Sequence, residues 1–458
     1  MSVNGRIQFC ALGGGGEVGA NSFLLTFDGH QILLDCGTHP KKEGRAALPA
    51  FDLLNRQPDA CIITHGHVDH CGALPWLAKI FPGVKTHTTL PTARIMDRML
   101  HNSVSVMETL ARERGIPEYP LFEHGDVGYA MRTIQHHGFM EPFFLRMGAE
   151  VEAQFIEAGH VLGGASVLLR MPGHTLFYTG DICKTRQQLM GGYRPLPRGV
   201  EVDTLVIEST QGGSDDEFFG TYREEVDSLA EAVNDTLRGG GSVLIPSFAL
   251  GRTQEMVNIL AGLQERGRIP MVPIHAAGLG RAIYELYETF SDYLMPHAEL
   301  RPLDRFERLG NMWDTGEVKH LLRRPSIIVA TSGMMVENTP SALIAQEMVR
   351  HTHHGIFFVG YLDPDTPGHR LLHSKAGEPV QLELNHPPVE KKLENVRQFR
   401  FSAHATRSEL ADIVDRVQPK NVVYVHGDPG AIQWMESNTG LGRCSHSPVI
   451  GQTVTLEA

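Results

Sequence analysis

The segment 64–70 constrains this chain more than any other, because three histidines and one aspartate lie within it. It directly follows the apolar run 60–63, whose short length and branched residues predict a buried strand. Neutral imidazole nitrogens and carboxylate oxygens are ligands that suit zinc and its neighbours among the transition metals. Burying so many unpaired imidazoles without an ion would be costly. The pattern therefore predicts a metal site at the end of a strand.

The length of 458 residues exceeds what one simple core organises, so it predicts two domains or one domain with a large insertion. The start of the chain does not resemble a signal peptide, and no apolar run reaches the length of a membrane span. The six cysteines form no C-x-x-C pair, which favours reduced thiols. We therefore expect a cytoplasmic protein with no membrane partner.

The net charge of −12 taken alone disfavours a nucleic-acid partner, because phosphate binding depends on lysine and arginine. Two bound divalent ions would offset several of these charges where it matters, and net charge says little about local patches. Short basic clusters such as Lys391–Lys392 give weak support only. Composition therefore excludes neither nucleic acids nor small molecules as substrates.

The glycine-rich run near the N-terminus supports a rival interpretation, because Gly14, Gly16 and Gly19 satisfy the G-x-G-x-x-G dinucleotide motif. That motif should open a helix within a βαβ unit. Here the apolar run 21–27, the turn at 28–30 and the run 31–35 follow instead, which predicts strand, tight turn, strand. We therefore expect a turn between strands and no dinucleotide site.

Polar or acidic residues recur at the ends of predicted strands, at Asp35, His65, Asp181 and Glu208. Each position alone is commonplace. Their recurrence predicts that these side chains lie together along one rim of a layered α/β structure, where the strands end.

From about residue 213 the pattern predicts strands at 242–246, 271–274, 326–331 and 355–361 that alternate with helices at 251–265, 278–290 and 341–351. This alternation predicts a second domain with a parallel sheet covered on both faces. Ser332 and Gly333 follow one of its strands, where the hydroxyl and backbone amides could hold a phosphate group of a substrate; a simple loop is the alternative. The histidines 351, 353 and 354 are interpreted as favourable charges near a helix C-terminus and not as a second metal site.

Several motifs together resemble the β-CASP branch of the metallo-β-lactamase superfamily of nucleases. Within that branch they are most similar to the pre-mRNA 3′-end cleavage endonucleases, with RNase J more distant. The motifs that carry the resemblance are residues 34–40, 47–49, 69–76, 159–163, 178–181, 208–210, 248–252, 333–335 and 401–404. One departure is Gln211, which stands where the family usually has tyrosine.

The resemblance implies an α/β protein, a metallo-β-lactamase αββα sandwich with an inserted, mostly parallel β-CASP domain. The implied limits are 1–212 for the first part of the sandwich, 213–398 for the insertion and 399–458 for the return. It also implies two divalent metals, zinc before manganese, since histidine-rich sites completed by oxygen favour zinc. The implied ligands are His65, His67 and His160 for one metal, Asp69, His70 and His426 for the other, and Asp181 between them. Asp35 would accept a hydrogen bond from a metal-bound imidazole and so orient that ring.

The implied activity is hydrolysis of single-stranded RNA to 5′-phosphate and 3′-hydroxyl products, in RNA processing or decay. An activated water near Asp69 would attack phosphorus, and His404, oriented by Glu208, would protonate the leaving 3′-oxygen. In this family a histidine at position 426 goes with RNA and an aliphatic residue with DNA. Cleavage within the chain and cleavage from the 5′ end both stay open. RNA is the expected partner, with a homodimer as a candidate assembly.

Two other functions compete with this one. A small-molecule hydrolase of the superfamily, acting on thioesters or lactones, is disfavoured because an inserted domain would roof the metal site into a groove suited to a polymer. A catalytically dead partner subunit is disfavoured because such subunits lose metal ligands, and none is missing here. Taken in isolation, His404 is better interpreted as a packing residue or a cap partner, and Glu208 as an ordinary turn carboxylate.

Overall fold

The structure is a computed structural model that describes residues 7–147, 150–216, 220–383 and 387–457. Its strands, numbered in chain order, are β1 Ile7–Gly13, β2 Ser22–Phe27, β3 His30–Leu34, β4 Ala60–Ile62, β5 Lys85–Thr88, β6 Ile134–His136, β7 Pro142–Arg146, β8 Glu150–Glu157, β9 Ala165–Met171, β10 His174–Tyr178, β11 Thr204–Glu208, β12 Val243–Pro246, β13 Ile274–Ala276, β14 Glu307–Arg308, β15 Ile327–Ala330, β16 Gly355–Phe358, β17 Pro379–Val380, β18 Val389–Glu390, β19 Val396–Gln398, β20 Asn421–Val425, β21 Cys444–His446 and β22 Thr453–Leu456. Its helices are α1 Val68–Cys71, α2 Leu74–Ile80, α3 Leu90–Arg114, α4 His124–Arg132, α5 Tyr222–Arg238, α6 Arg252–Glu265, α7 Gly278–Thr289, α8 Thr315–Leu321, α9 Pro340–Met348, α10 Pro367–His373, α11 Arg407–Val417 and α12 Pro429–Asn438, with short 3-10 turns at Gly44–Ala47, Phe51–Leu53, Ser291–Tyr293 and Leu303–Arg305.

The chain divides into two compact units. Unit 1 comprises residues 1–186, 192–217 and 404–458, and unit 2 comprises residues 187–191 and 218–403. The short segment 187–191 belongs with unit 2 because the buried carboxylate of Glu255 accepts the backbone N–H groups of Gln188 and Leu189, each at 3.0 Å. The sequence offered no signal for that long-range contact.

Unit 1 is a sandwich of two seven-stranded sheets in the described part of the chain, in the orders β22-β1-β2-β3-β4-β5-β6 and β21-β20-β11-β10-β9-β8-β7. Inward side chains of both sheets, such as Phe9, Phe23, Phe155 and Val206, form one buried core. Helices α2, α3 and α4 cover the outer face of the first sheet, and α11 and α12 cover the second. The predicted αββα architecture is confirmed.

The glycine-rich run joins β1 and β2, which pair antiparallel from Gln8 opposite Thr26 to Gly13 opposite Ser22. A Cβ on Gly13 would lie 2.0 Å from the carbonyl oxygen of Ala20, so the tight turn requires glycine there. The predicted order of strand, tight turn and strand is therefore confirmed at β2 and β3, which also pair antiparallel.

Unit 2 contains a six-stranded sheet in the order β14-β13-β15-β12-β16-β19, and every pairing in it is parallel. Apolar residues of α5, α6 and α7 pack on one face, and those of α8, α9 and α10 on the other. The parallel, doubly covered sheet is therefore confirmed. One strand was predicted too early, at 271–274, whereas β13 begins at Ile274, because Pro273 has no N–H to donate to a neighbouring strand.

The interpretation of His354 as a charge at a helix terminus is wrong. The helix α9 ends at Met348, and the His354 side chain is buried, with its Nδ1 accepting the backbone N–H of Ser242 at 3.0 Å. Burial, with smaller contributions from His353 and His351, lowers the pKa of His354 to about 4. His354 is therefore a neutral core histidine that accepts a hydrogen bond.

This burial predicts an acid-sensitive unit 2. Unfolded histidine titrates near pH 6.5, whereas folded His354 resists protonation down to about pH 4. The unfolded state therefore takes up the proton first, and the free energy of unfolding falls as the pH drops through this window, by about 3 kcal/mol in total. Urea unfolding of wild type and His354→Gln between pH 7 and pH 4 measures the difference. His353→Gln is the matched control, and equal pH slopes for wild type and His354→Gln would refute the assignment.

Candidate metal centre

The strand order of unit 1 gathers the predicted site residues at strand ends. Strands β10, β11 and β20 are adjacent and parallel, so their carboxyl ends lie at one edge of the sheet. Asp181 follows β10, Glu208 ends β11, and His426 follows β20. In the other sheet β3 and β4 are parallel neighbours, and Asp35 and the histidine cluster follow them. The rim predicted from strand ends is present.

One group of possible metal ligands consists of His65, His67, His160 and Asp181. The Nδ1 atom of His67 lies 3.0 Å from Nε2 of His65 and 3.1 Å from Nε2 of His160. Burial, with the nearby His70, holds the pKa of His65 well below its ordinary value, so its ring is neutral. Neutral imidazoles whose nitrogens converge in this way present lone pairs to a common point, as a metal requires.

A second group consists of Asp69, His70 and His426. Oδ2 of Asp69 lies 3.7 Å from Nε2 of His70 and 3.5 Å from Nε2 of His426. His426 is buried, and its Nε2 has no hydrogen-bond partner among the described residues. A buried polar atom without a partner needs an explanation, and a cation beside Asp69 supplies one.

Asp181 faces both groups with different oxygens. Its Oδ2 lies 3.5 Å from Nε2 of His65 and 3.6 Å from Nε2 of His160. Its Oδ1 lies 3.2 Å from Nε2 of His70 and 2.8 Å from Nδ1 of His426. A carboxylate with one oxygen toward each ligand group suits a bridge, so the donor set is consistent with a dinuclear metal site.

Asp35 lies behind the second group, completely buried. Its Oδ2 lies 2.8 Å from Nδ1 of His70 and accepts the Tyr178 hydroxyl at 2.6 Å, while its Oδ1 accepts the Thr64 N–H at 2.8 Å. Because a carboxylate only accepts, Nδ1 of His70 carries the proton and Nε2 keeps its lone pair for a metal. The Asn21 amide, 3.0 Å from Nε2 of His70, fits the same tautomer.

The sequence alone predicts no role for Asn21, Thr64 or Tyr178. A signal existed for Tyr178, because the hydroxyl of a buried tyrosine normally finds a partner and Tyr178 lies three residues before Asp181. No local pattern distinguished Asn21 from an ordinary turn residue.

Asp35→Asn is expected to weaken zinc binding about 10- to 100-fold. The asparagine amide can either accept from or donate to Nδ1 of His70, so it no longer fixes the His70 tautomer. Chelator competition with the purified chain measures the affinity. Asp59→Asn, which changes an aspartate that accepts from Arg56 at 2.8 Å, is the control and should bind zinc as wild type does. Unchanged affinity in Asp35→Asn would exclude the orienting role.

The segment 36–38 fixes the backbone of the histidine cluster. The N–H groups of Cys36 and Thr38 donate to the carbonyl oxygens of His70 and Val68, at 2.8 and 2.9 Å. A Cβ on Gly37 would lie 1.7 Å from the carbonyl oxygen of Asp69, so only glycine fits between these segments. The metal-ligand turn is therefore held by backbone contacts as well as by its own helix, α1.

His404 pairs with Glu208 beside the ligand groups. Its Nδ1 lies 3.0 Å from Oε2 and 3.1 Å from Oε1 of the buried Glu208, whereas the His404 side chain is 22% exposed. Glu208 is fixed in turn by the backbone N–H of Ile182, at 2.7 Å. Burial alone would lower the pKa of His404, but the charge of Glu208 and their hydrogen bond raise the pKa above its ordinary value. The His404 ring centroid lies 4.7 Å from that of His160.

Ser332 and Gly333 belong to unit 2, in the turn after β15. The Ser332 hydroxyl accepts the Val336 N–H at 2.8 Å, and a Cβ on Gly333 would lie 3.0 Å from the Phe248 ring. These contacts shape the turn itself, and a role in holding an RNA phosphate stays a prediction.

Three family models match the chain. They are the metallo-beta-lactamase superfamily over residues 15–236, the Beta-Casp domain over 253–371 and the Zn-dependent metallo-hydrolase RNA specificity domain over 388–438. A crystal structure of a protein of unknown function from Enterococcus faecalis V583 has the same fold, with a TM-score of 0.60 at 14% identity. The structural match covers 98% of this chain and 100% of the Enterococcus faecalis chain.

Curated relatives match over nearly the whole chain. An RNase J-like protein of Methanocaldococcus jannaschii is 28% identical, covering 91% of each protein. The transcription termination factor FttA of Thermococcus kodakarensis is 31% identical over 92% of this chain and 67% of its own. The endoribonuclease YSH1 of Gibberella zeae is 27% identical over 92% of this chain, which spans 53% of that longer protein. The chain belongs to the β-CASP branch of the metallo-β-lactamase superfamily.

Proposed function

We propose that this chain is a metal-dependent ribonuclease that hydrolyses RNA phosphodiester bonds to 5′-phosphate and 3′-hydroxyl products. The observation that carries the proposal is a combination within unit 1. The two carboxylate oxygens of Asp181 face different ligand groups, and a His404–Glu208 pair lies beside them. A metal site alone fits many hydrolases of the superfamily. The adjacent histidine adds a proton donor for a leaving alkoxide.

In this proposal His65, His67 and His160 hold one metal, and Asp69, His70 and His426 hold the other, with Asp181 shared and Asp35 fixing His70. When bound, two divalent ions activate a water and neutralise the phosphate. Histidine-rich ligands completed by carboxylates favour zinc over manganese. The name of the matched family model at residues 388–438 agrees with that choice.

The chain's own residues supply the remaining steps. Glu208 accepts from Nδ1 of His404 and keeps the imidazole charged, so the Nε2 proton is available to the departing 3′-oxygen. Asp69, on the ligand turn, accepts a proton from the attacking water. The buried surroundings of Asp181 and Glu208 strengthen these electrostatic interactions.

Three observations support RNA as the substrate, and we propose that this RNA is single-stranded. The relatives include an endoribonuclease and an RNase J-like protein, and an RNA specificity domain model matches residues 388–438. His426 occupies the position where the family's RNA enzymes have histidine. We place the activity in RNA processing or decay, in the cytoplasm, with Ser332 and Gly333 as phosphate contacts and a homodimer as the assembly. Among the described residues, no helix has both the length and the apolar character needed to cross a membrane.

Cleavage of labelled RNA tests the proposal directly. The zinc-loaded chain should cut single-stranded RNA and leave 5′-phosphate ends, and a duplex of the same sequence serves as the comparison. Circular RNA together with linear RNA carrying a 5′-monophosphate or 5′-triphosphate separates internal cleavage from attack at the 5′ end. Two bound metals without any RNA cleavage, but with thioester or lactone hydrolysis, would instead establish the small-molecule function.

A further inference from the structure

The segments that leave and re-enter unit 1 are joined by specific side-chain contacts. The chain leaves unit 1 after residue 217 and returns at His404. The Arg407 guanidinium donates to Oδ1 of Asp215 at 3.0 Å. The backbone N–H and hydroxyl of Ser408 donate to Oδ2 of Asp216, at 2.9 and 2.6 Å. Two successive residues at the start of α11 therefore hold two successive residues of the departing segment.

Arg407 also contacts the helix that follows His426. Its Cζ lies 4.3 Å from the centroid of the Trp434 ring on α12, within cation–π distance. Helix α12 begins three residues after His426, and α11 begins three residues after His404. One guanidinium on α11 thus links the two helices that follow the C-terminal histidines of the site.

Stability alone explains these contacts poorly. The Asp215 side chain is half exposed, and an ion pair to an exposed carboxylate contributes little to folding. Their position is more informative, because His404 lies in the three-residue connection between unit 2 and α11, in which the Ala405 N–H donates to the Ile182 carbonyl at 2.6 Å. Fixing the start of α11 therefore restricts where the His404 ring can lie relative to Glu208.

We propose that Arg407, with Asp215, Asp216, Ser408 and Trp434, forms a clasp that positions His404 for proton donation. This inference rests on the proposed ribonuclease function and adds Arg407 to it as a positioning residue. The side chain of Arg407 contacts Asp215 and Trp434, neither of which is a proposed metal ligand. It acts by fixing the backbone from which His404 projects.

A double-mutant cycle with Arg407→Met and His404→Ala tests the clasp. Arg407→Met keeps the apolar stem and removes the guanidinium, and should lower kcat about 10- to 100-fold with KM and zinc content unchanged, because small misplacements of a catalytic group cost this much. In the His404→Ala background the same substitution should cause no further loss. Arg407→Lys, which keeps the charge for Asp215, should recover part of the rate.

Lys420→Met is the matched control. Lys420 pairs with Asp203 at 2.8 Å, just before β20 and β11, at the ends of these strands that lie away from the site. It should leave kcat unchanged. If Arg407→Met folds poorly, Asp215→Asn provides the same cycle with a smaller change. Equal losses of kcat with and without His404 would overturn the clasp, as would a full rate in Arg407→Met. Absence of RNA cleavage by the wild-type chain would contradict the ribonuclease proposal itself, so the two failures are distinguishable.

Discussion

His404→Ala is expected to lower kcat for RNA cleavage about 100- to 10,000-fold while both metals stay bound, because the leaving 3′-oxygen loses its proton donor. His404 is grouped with Asp181 and Glu208 and belongs to neither the His65 nor the Asp69 ligand group, so the occupancy of both metal positions should not change. Single-turnover cleavage of labelled RNA, with zinc counted by elemental analysis, measures both quantities. A full cleavage rate in this variant would exclude His404 as the general acid.

Two comparisons sharpen this test. His101→Ala changes a histidine that pairs with His124 outside the metal centre and should cleave at the wild-type rate. A substrate whose leaving oxygen is replaced by sulfur needs little protonation, so His404→Ala should cleave it nearly as fast as wild type does. A rate loss that is equal for both substrates would point to a structural effect of the substitution.

Asp181→Ala is expected to abolish cleavage, with a loss of about 1,000-fold or more, since metals contribute several kcal/mol to the stabilisation of the transition state. Its two oxygens face different ligand groups, so its removal should weaken both metal positions. Zinc stoichiometry should fall from two toward zero, and excess zinc should restore little activity.

Glu157→Ala is the control for Asp181→Ala, because Glu157 pairs with Arg194 at 3.1 Å and belongs to neither ligand group. It should keep both zinc ions and the wild-type rate. Retention of two zinc ions by Asp181→Ala would contradict the bridging role and leave the two groups as independent sites.

The fold was largely predictable because its strongest signals are local. Alternation of strands and helices after residue 213 predicts a covered parallel sheet, and that sheet is present. Helix α5 was missed although its capping box at Thr221 and Glu224 and the spacing of its buried residues are legible. The error at β13 came from ignoring that Pro273 cannot donate to a ladder.

The sequence by itself determined the inventory of the metal centre, because four of its groups lie within one six-residue turn whose backbone forces them together. Only the tertiary structure decided the pairings. Glu208 and His404 are separated by 196 residues, and Asp181 and His426 by 245. Their contact depends on β10, β11 and β20 becoming parallel neighbours, and strand order is set by burial of whole sheet faces and not by any local pattern. For the same reason no local pattern revealed the clasp at Arg407, whose partners Asp215 and Trp434 come from two other segments of the chain.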